Sequence, residues 1–146
     1  MTEQPLVIDA SDHILGRLAI VVAKRALSGE RVVIVNVEKA VITGRKQQII
    51  ERARHALSTR THQSQERAPK HPRRPDLYAR RVVRGMLPWK KSSGKVAFKK
   101  VQVYMGVPEK FSSMPMRKIS EADASKLQCS HITLGELSRH IVGSPQ

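Results

Sequence analysis

The chain has 146 residues with 40% apolar content, enough to enclose one ordinary core and too short for two full domains. Its formal charge of +15 sets up a field that attracts polyanions, so nucleic acid is the expected partner. No stretch approaches the roughly 20 apolar residues that span a bilayer, Met1-Thr-Glu-Gln-Pro5 lacks the features of a signal peptide, and Cys129 alone can form neither an intrachain disulfide nor a cysteine zinc cluster.

Pro5-Leu-Val-Ile-Asp-Ala10 is a short apolar run that predicts a first buried strand. Leu15, Leu18, Ala19, Val22 and Ala26 recur at helical spacing and predict a helix that stops at Gly29 in a left-handed cap. Arg31 to Val37 is β-branched and almost continuously apolar, the pattern of a strand covered on both faces in a parallel sheet. The next helix is predicted to be capped by Thr43, with Ile49, Ile50, Ala53 and Leu57 buried and Arg45 and Lys46 in its first turn. Cations there oppose the helix dipole. They could attend a phosphate held by free backbone N–H groups next to Gly44, or extend into water, and the sequence favours neither.

From Ser58 to Pro75 the periodicity disappears, and the segment has almost nothing to bury. Its prolines make it extended, so 58–75 is expected to be a cationic arm laid along RNA. A third helix is predicted from Asp76, as N-cap, to the residues before Pro88. On its wheel Arg80, Arg81 and Arg84 cover one arc of about 100°, while Ala79, Val82, Val83 and Met86 gather opposite. Trp89-Lys-Lys-Ser-Ser-Gly-Lys95 is then expected to be a basic turn, with Trp89 anchoring the helix end against the core. Phe98 to Tyr104 alternates as a late strand, and Gly106-Val-Pro108 turns the chain. In 112–130 the pattern leaves Met114, Met116 and Ile119 as the large apolar side chains expected to be buried, and Cys129 is expected to be a buried, inert thiol. Thr133-Leu-Gly-Glu136 is a capping box opening a last helix through Leu134, Leu137 and Ile141 to Gly143.

The charge is not spread evenly. Residues 44–118 hold 20 Lys/Arg against 4 Asp/Glu, a net +16, whereas the rest of the chain carries net −1. A neutral scaffold and a binding segment are thus separated within one chain. No closely spaced glycines with a lysine form a phosphate-binding fingerprint. The histidines at 13, 55, 62, 71, 131 and 140 include no i, i+4 pair and no acidic cluster to complete a metal site. With five aromatic residues the chain cannot build the stacking platforms of sequence-specific single-strand readers, and contact with phosphate and RNA shape is expected instead.

Ile8-Asp-Ala10, Leu15-Gly-Arg-Leu-Ala19, Val35-Asn-Val-Glu38, Ile42-Thr-Gly44, Arg67-Ala-Pro69 and above all Val83-Arg-Gly-Met-Leu-Pro88 occur in that order between about residues 6 and 111. In these stretches the chain resembles ribosomal protein family thirteen of the large subunit, and Pro-Trp-Lys with the Thr-Leu-Gly-Glu-Leu tail resembles its archaeal or eukaryotic branch. The resemblance implies a parallel-sheet α/β domain that binds large-subunit rRNA early in assembly. It also implies that Arg67, Arg84, Gly85 and Lys90 face RNA or are structurally required. The chain departs from the family at Ser64-Gln-Glu66 and at Lys70-His71, and the family's RNA contacts around residues 62–66 are not carried over.

The expectation is a single α/β domain over 1–146, three layers around a mostly parallel sheet of about four strands, with a basic region at 44–100 and an extended arm at 58–75. It is expected to be a non-enzymatic constituent of the large ribosomal subunit in the cytoplasm, with rRNA and neighbouring large-subunit proteins as partners. No cofactor, metal, membrane or small-molecule substrate is expected. The candidate RNA-binding residues are Arg45, Lys46, Arg60, His62, Arg67, Lys70, His71, Arg73, Arg74, Arg80, Arg81, Arg84, Lys90, Lys91 and Lys95, with Gly44, Gly85, Pro88 and Trp89 as structural positions. The alternative is an α/β enzyme for a phosphorylated or nucleotide substrate, with Gly44, Arg45 and Lys46 as its anion site; it leaves the basic arm unexplained. A regulator of translation outside the ribosome has no signature in the sequence.

Overall fold

A computed structural model of the chain describes residues 4–64 and 66–142. Strands β1 (Leu6–Asp9), β2 (Val32–Val35) and β4 (Val101–Val103) form a parallel sheet in the order β1-β2-β4, with Leu6 opposite Val32 and Val32 opposite Val101. The central strand is buried along its whole length, which is why its sequence runs as an unbroken β-branched stretch. Its side chains alternate between two cores. Val32 and Ile34 join the main core, whereas Val33 and Val35 meet Val7, Tyr104, Phe111 and Met114 on the opposite face.

Helix α1 (Leu15–Leu27) buries the expected stripe of Leu15, Leu18, Ala19, Val22 and Ala26. Gly29, at φ +104°, closes it by donating its N–H to Ala26 O, and Glu30 N–H reaches back to Arg25 O. Helices α3 (Pro75–Met86) and α4 (Ser92–Lys99) pack on α1, and α2 (Lys46–Ser58) packs on α6 (Leu134–Val142). Helix α5 (Glu109–Ser112) is a single turn beside the smaller core.

The structure departs from the sequence-based expectations at several points. The parallel sheet has three strands. A separate antiparallel pair is formed by β3 (Val41–Thr43) and β5 (His131–Thr133), three-residue strands too short to show a period. Thr43 therefore lies opposite His131 and does not cap α2; Gly44, at φ +133°, breaks the chain between strand and helix, and Arg45 occupies the N-cap without a side-chain cap. Arg74, not Asp76, occupies the N-cap of α3, so the helix opens two residues early, at Pro75, whose fixed φ suits the first helical position. Met86 is 44% exposed, so the apolar arc of α3 ends at Val83. Residues 92–99 are helix α4, so Phe98 is helical and the strand begins at Val101. Gly94 makes this possible by lying against the Pro88 carbonyl, at a distance that leaves no room for a Cβ.

The region 112–130 is also better organised than its sequence suggests. Arg117 N–H donates to Val7 O at 2.9 Å, and Arg117 O accepts from Asp9 N–H at 3.1 Å, so the segment runs alongside β1. Ala122 is buried; contrary to expectation, Met116 is exposed, and Cys129 is exposed because its loop lies outside both cores. The capping box forms by half: Thr133 Oγ1 accepts Glu136 N–H at 3.3 Å, but the Glu136 carboxylate turns to Lys46. Gly143, the expected end of the last helix, lies outside the described residues.

Two polar groups pin the carboxyl end of β1. His13, 2% exposed, donates from Nδ1 to Ser11 O at 2.7 Å and accepts Ile119 N–H on Nε2 at 2.9 Å, an arrangement that only one neutral tautomer satisfies. Asp9 Oδ1 accepts from Ser11 N, Ser11 Oγ and Asn36 Nδ2 at 2.8–3.1 Å. Burial pushes its carboxyl up, but hydrogen bonds from Asn36 and Ser11, together with the charge of Lys118, outweigh burial and hold it below the usual range. A lowered folded pKa gives stability that is present above the unfolded value near pH 4 and lost as pH falls through the folded pKa. Asp9→Ala should cost roughly 1–3 kcal/mol at pH 7, where it strands these donors. In urea titrations the gap between variant and parent should narrow at pH 3; a gap independent of pH would contradict this account.

Candidate nucleic-acid interface

The basic surface is built where α3 runs into α4. Leu87 is buried, Trp89 N–H donates to Leu87 O at 2.8 Å, and Lys91 N–H donates to Pro88 O at 3.0 Å. This tight turn reverses the chain so that α4 lies beside α3. Trp89 and Phe98 then meet edge to face, with centroids 5.2 Å apart and planes at 89°. The Arg84 guanidinium sits 4.0 Å from the Trp89 ring centre, and that of Arg80 sits 4.8 Å from Phe98. Trp89 is half-buried, and its ring meets Phe98 on one side and the Arg84 guanidinium on another. Each such contact contributes about 0.5–1 kcal/mol at an exposed site and narrows the range of a long side chain. Two guanidinium groups are thereby aimed outward in fixed positions.

Lys90, Lys91 and Lys95 are exposed around the same turn, and none of these lysines, nor Arg80, Arg81 or Arg84, lies within 4 Å of a carboxylate among the described residues. Pro88 supplies the carbonyl against which Gly94 packs. Apart from its own helix, nothing among the described residues stands within 4 Å of where a Cβ would project from Gly85, so packing does not require glycine there.

Residues 59–74 contain no helix or strand among those described. Arg60, His62, Arg67 and Lys70 are exposed there. The second half of the segment is tied to the body: Arg81 Nη1 donates to Lys70 O and Ser138 Oγ to Arg73 O, both at 2.7 Å, and His71, Pro72 and Arg73 are half-buried. Arg74 pairs with Asp76 at 3.0 Å. The segment is thus partly docked on α3 and α6.

At the start of α2, Arg45 is exposed and Lys46 is engaged by Glu136. The hydrogen bond from Lys46 outweighs the opposing effect of burial and, with the charges of Lys46, His140 and Arg139, holds the Glu136 carboxyl below its usual range. Lys46 is therefore partly neutralised before any ligand arrives. Exposed Arg52 and Arg54 of α2 belong to the same basic side, and sequence reasoning singled out neither. Arg52 stands seven residues from Arg45, two helical turns along one face, and that spacing could have revealed it. Lys100 Nζ, by contrast, donates to Gly29 O at 2.8 Å and serves the end of α1.

Among the described residues no three His, Cys, Asp or Glu side chains gather into a possible metal site. Nor is any helix among them long and apolar enough to cross a membrane.

Fold and surface together define a basic α/β protein whose cations concentrate on the α3–α4 turn, α2 and the segment between them. A profile of the family described as Ribosomal protein L13 matches residues 3–110. The chain is 47% identical over 137 residues to "Large ribosomal subunit protein uL13" of Archaeoglobus fulgidus, covering 92% of this chain and 86% of the relative. Its counterpart in Methanopyrus kandleri is 46% identical over 95% of this chain and 87% of the relative, and that of Sulfurisphaera tokodaii 40% identical over the full length of both. The chain belongs to the Ribosomal protein L13 family.

Proposed function

We propose that this protein is a non-enzymatic, structural constituent of the large ribosomal subunit in the cytoplasm. Within a single domain spanning 1–146 it binds rRNA through the basic region 44–100. The arginine face of α3 and the lysines of the α3–α4 turn form one contact surface; Arg45, Arg60, His62, Arg67, Lys70, His71, Arg73 and Arg74 extend it along the neighbouring segment. The observation that carries this reading is the set of exposed cations on α3 and the following turn, none within 4 Å of a carboxylate among the described residues, with two guanidinium groups held on aromatic rings. Such a surface costs self-repulsion in the free protein and is relieved by a polyanion. A planar guanidinium suits a phosphate better than a lysine does, because it can donate two parallel hydrogen bonds. The open space over Gly85 lets an RNA backbone come close to the helix.

Affinity for large-subunit rRNA should fall steeply with salt, because each neutralised phosphate releases counterions, adding about 0.7–0.9 to the slope of log K against log salt. A filter-binding titration across salt concentrations should give a slope equivalent to at least about five contacts. A slope worth one or two contacts would refute the proposal.

A further inference from the structure

Helices α2 and α3 stand apart over α6 and leave a groove of about 580 Å³ between them. Its floor is apolar, with Ile49, Ala53 and Leu57 from α2 and Tyr78 and Val82 from α3. Its rim is cationic, with Arg45 and Arg52 on one side and Arg81 on the other, and none of the lining side chains is acidic. The hydroxyl of half-buried Tyr78 has no hydrogen-bond partner among the described residues. Burial pushes that hydroxyl above the usual tyrosine range despite the opposing charge of Arg52, so it remains a proton donor at neutral pH.

We infer that this groove receives an unstacked base of single-stranded RNA. The inference deepens the RNA-binding reading and rests on it, but it concerns a different contact from the phosphate-facing arginines of α3. A nucleotide meets all three features at once: its ring covers the apolar floor, its polar edge meets the Tyr78 hydroxyl and Gln48, and its phosphates lie between the rim arginines. An apolar peptide would cover the floor and leave three guanidinium groups facing it without counter-charge. Duplex RNA would satisfy the rim and leave the floor empty, because its bases are stacked and inaccessible. The volume lies within the roughly 300–1,000 Å³ of small-ligand sites. Arg81 also fixes the Lys70 carbonyl, which ties the basic segment to the edge of the groove.

The test compares an RNA hairpin carrying 4-thiouridine in a single-stranded loop with a fully paired duplex of equal length, using the full chain, Tyr78→Ala and the groove-filling Ala56→Phe. Thermal melts check folding, and Ala56→Phe, on the half-exposed side of α2, stands in if Tyr78→Ala does not fold. Loss of one bound base from the groove, whether by removing Tyr78 or by filling the space with Ala56→Phe, predicts that both variants bind the hairpin about ten-fold more weakly while keeping the parent affinity for duplex. Cross-links in the parent should map to α2 and α3 beside the groove and vanish in Ala56→Phe. Unchanged hairpin affinity in both variants, or cross-links confined to the α3–α4 turn, would overturn the inference and leave the RNA-binding reading intact. Binding of an acidic amphipathic peptide to the parent but not to Ala56→Phe, with hairpin binding untouched, would overturn it by assigning the groove to a protein partner. Failure of the parent to bind either RNA would overturn both.

Discussion

Replacing Arg80 and Arg84 together by glutamate should abolish entry of the protein into large ribosomal particles while leaving its fold in place. Both side chains are exposed, and each gives up one ring contact, so about 1–2 kcal/mol of stability is lost. Arg84 also lies in the last turn of α3, where reversing its charge opposes the helix dipole by a further 0.3–1 kcal/mol or so. Binding should suffer far more. Charge-assisted hydrogen bonds contribute about 1.5–3 kcal/mol each. Losing two predicts a fall of about 100-fold or more in rRNA affinity, and a salt slope shallower by roughly 1.4–1.8. Circular dichroism, filter binding and sedimentation of tagged protein read these three quantities. A double variant that folds and co-sediments with particles at the parent level would remove α3 from the interface.

Gly94→Ala should be the most damaging single-methyl change in the chain. In an exposed helix this substitution gains up to about 1 kcal/mol. Here the added Cβ would stand 2.2 Å from Pro88 O and 2.6 Å from Pro88 C, so α4 and the turn must separate. Overpacking of that kind costs about 1–3 kcal/mol or more, and it should also disturb the Trp89–Phe98 pair on which Arg84 and Arg80 rest. The expected result is a lower denaturation midpoint, an altered near-ultraviolet spectrum from the single tryptophan, and weaker RNA binding. Gly85→Ala is the matched control, since among the described residues no atom outside its own helix lies within 4 Å of its added methyl group, and its midpoint should rise or stay level. Equal effects at the two glycines would show that close approach at Pro88 does not govern this turn.

The parts of the fold legible in the sequence are those where a period and a stop signal coincide. The β1–α1–β2 unit has a continuous apolar strand, a helical stripe and Gly29, and it appears where expected. The arginine face of α3 follows from its wheel and from Pro88. Helix α4 was hidden because Ser92, Ser93 and Gly94 begin it, residues of weak helical preference; it is specified by Gly94 fitting against a carbonyl and by burial of Ala97. The β3–β5 pair joins segments about ninety residues apart through three-residue strands, for which local pattern holds no information. For the interface, composition located the basic region, but not that Lys46 is held by Glu136, that Trp89 and Phe98 support arginines, or that Arg52 borders a groove. Those facts depend on which helices meet, and only the assembled chain decides that.

The backbone pairing of Arg117 with Val7 and Asp9 matters for a copy made before its RNA is available. One margin of the parallel ladder is already occupied by the protein's own chain, and the other is a strand of only three residues. An incoming extended segment therefore finds almost no row of free amides and carbonyls to zip onto. The parallel sheet of a newly made molecule thus offers little to a second copy that would add a strand to it.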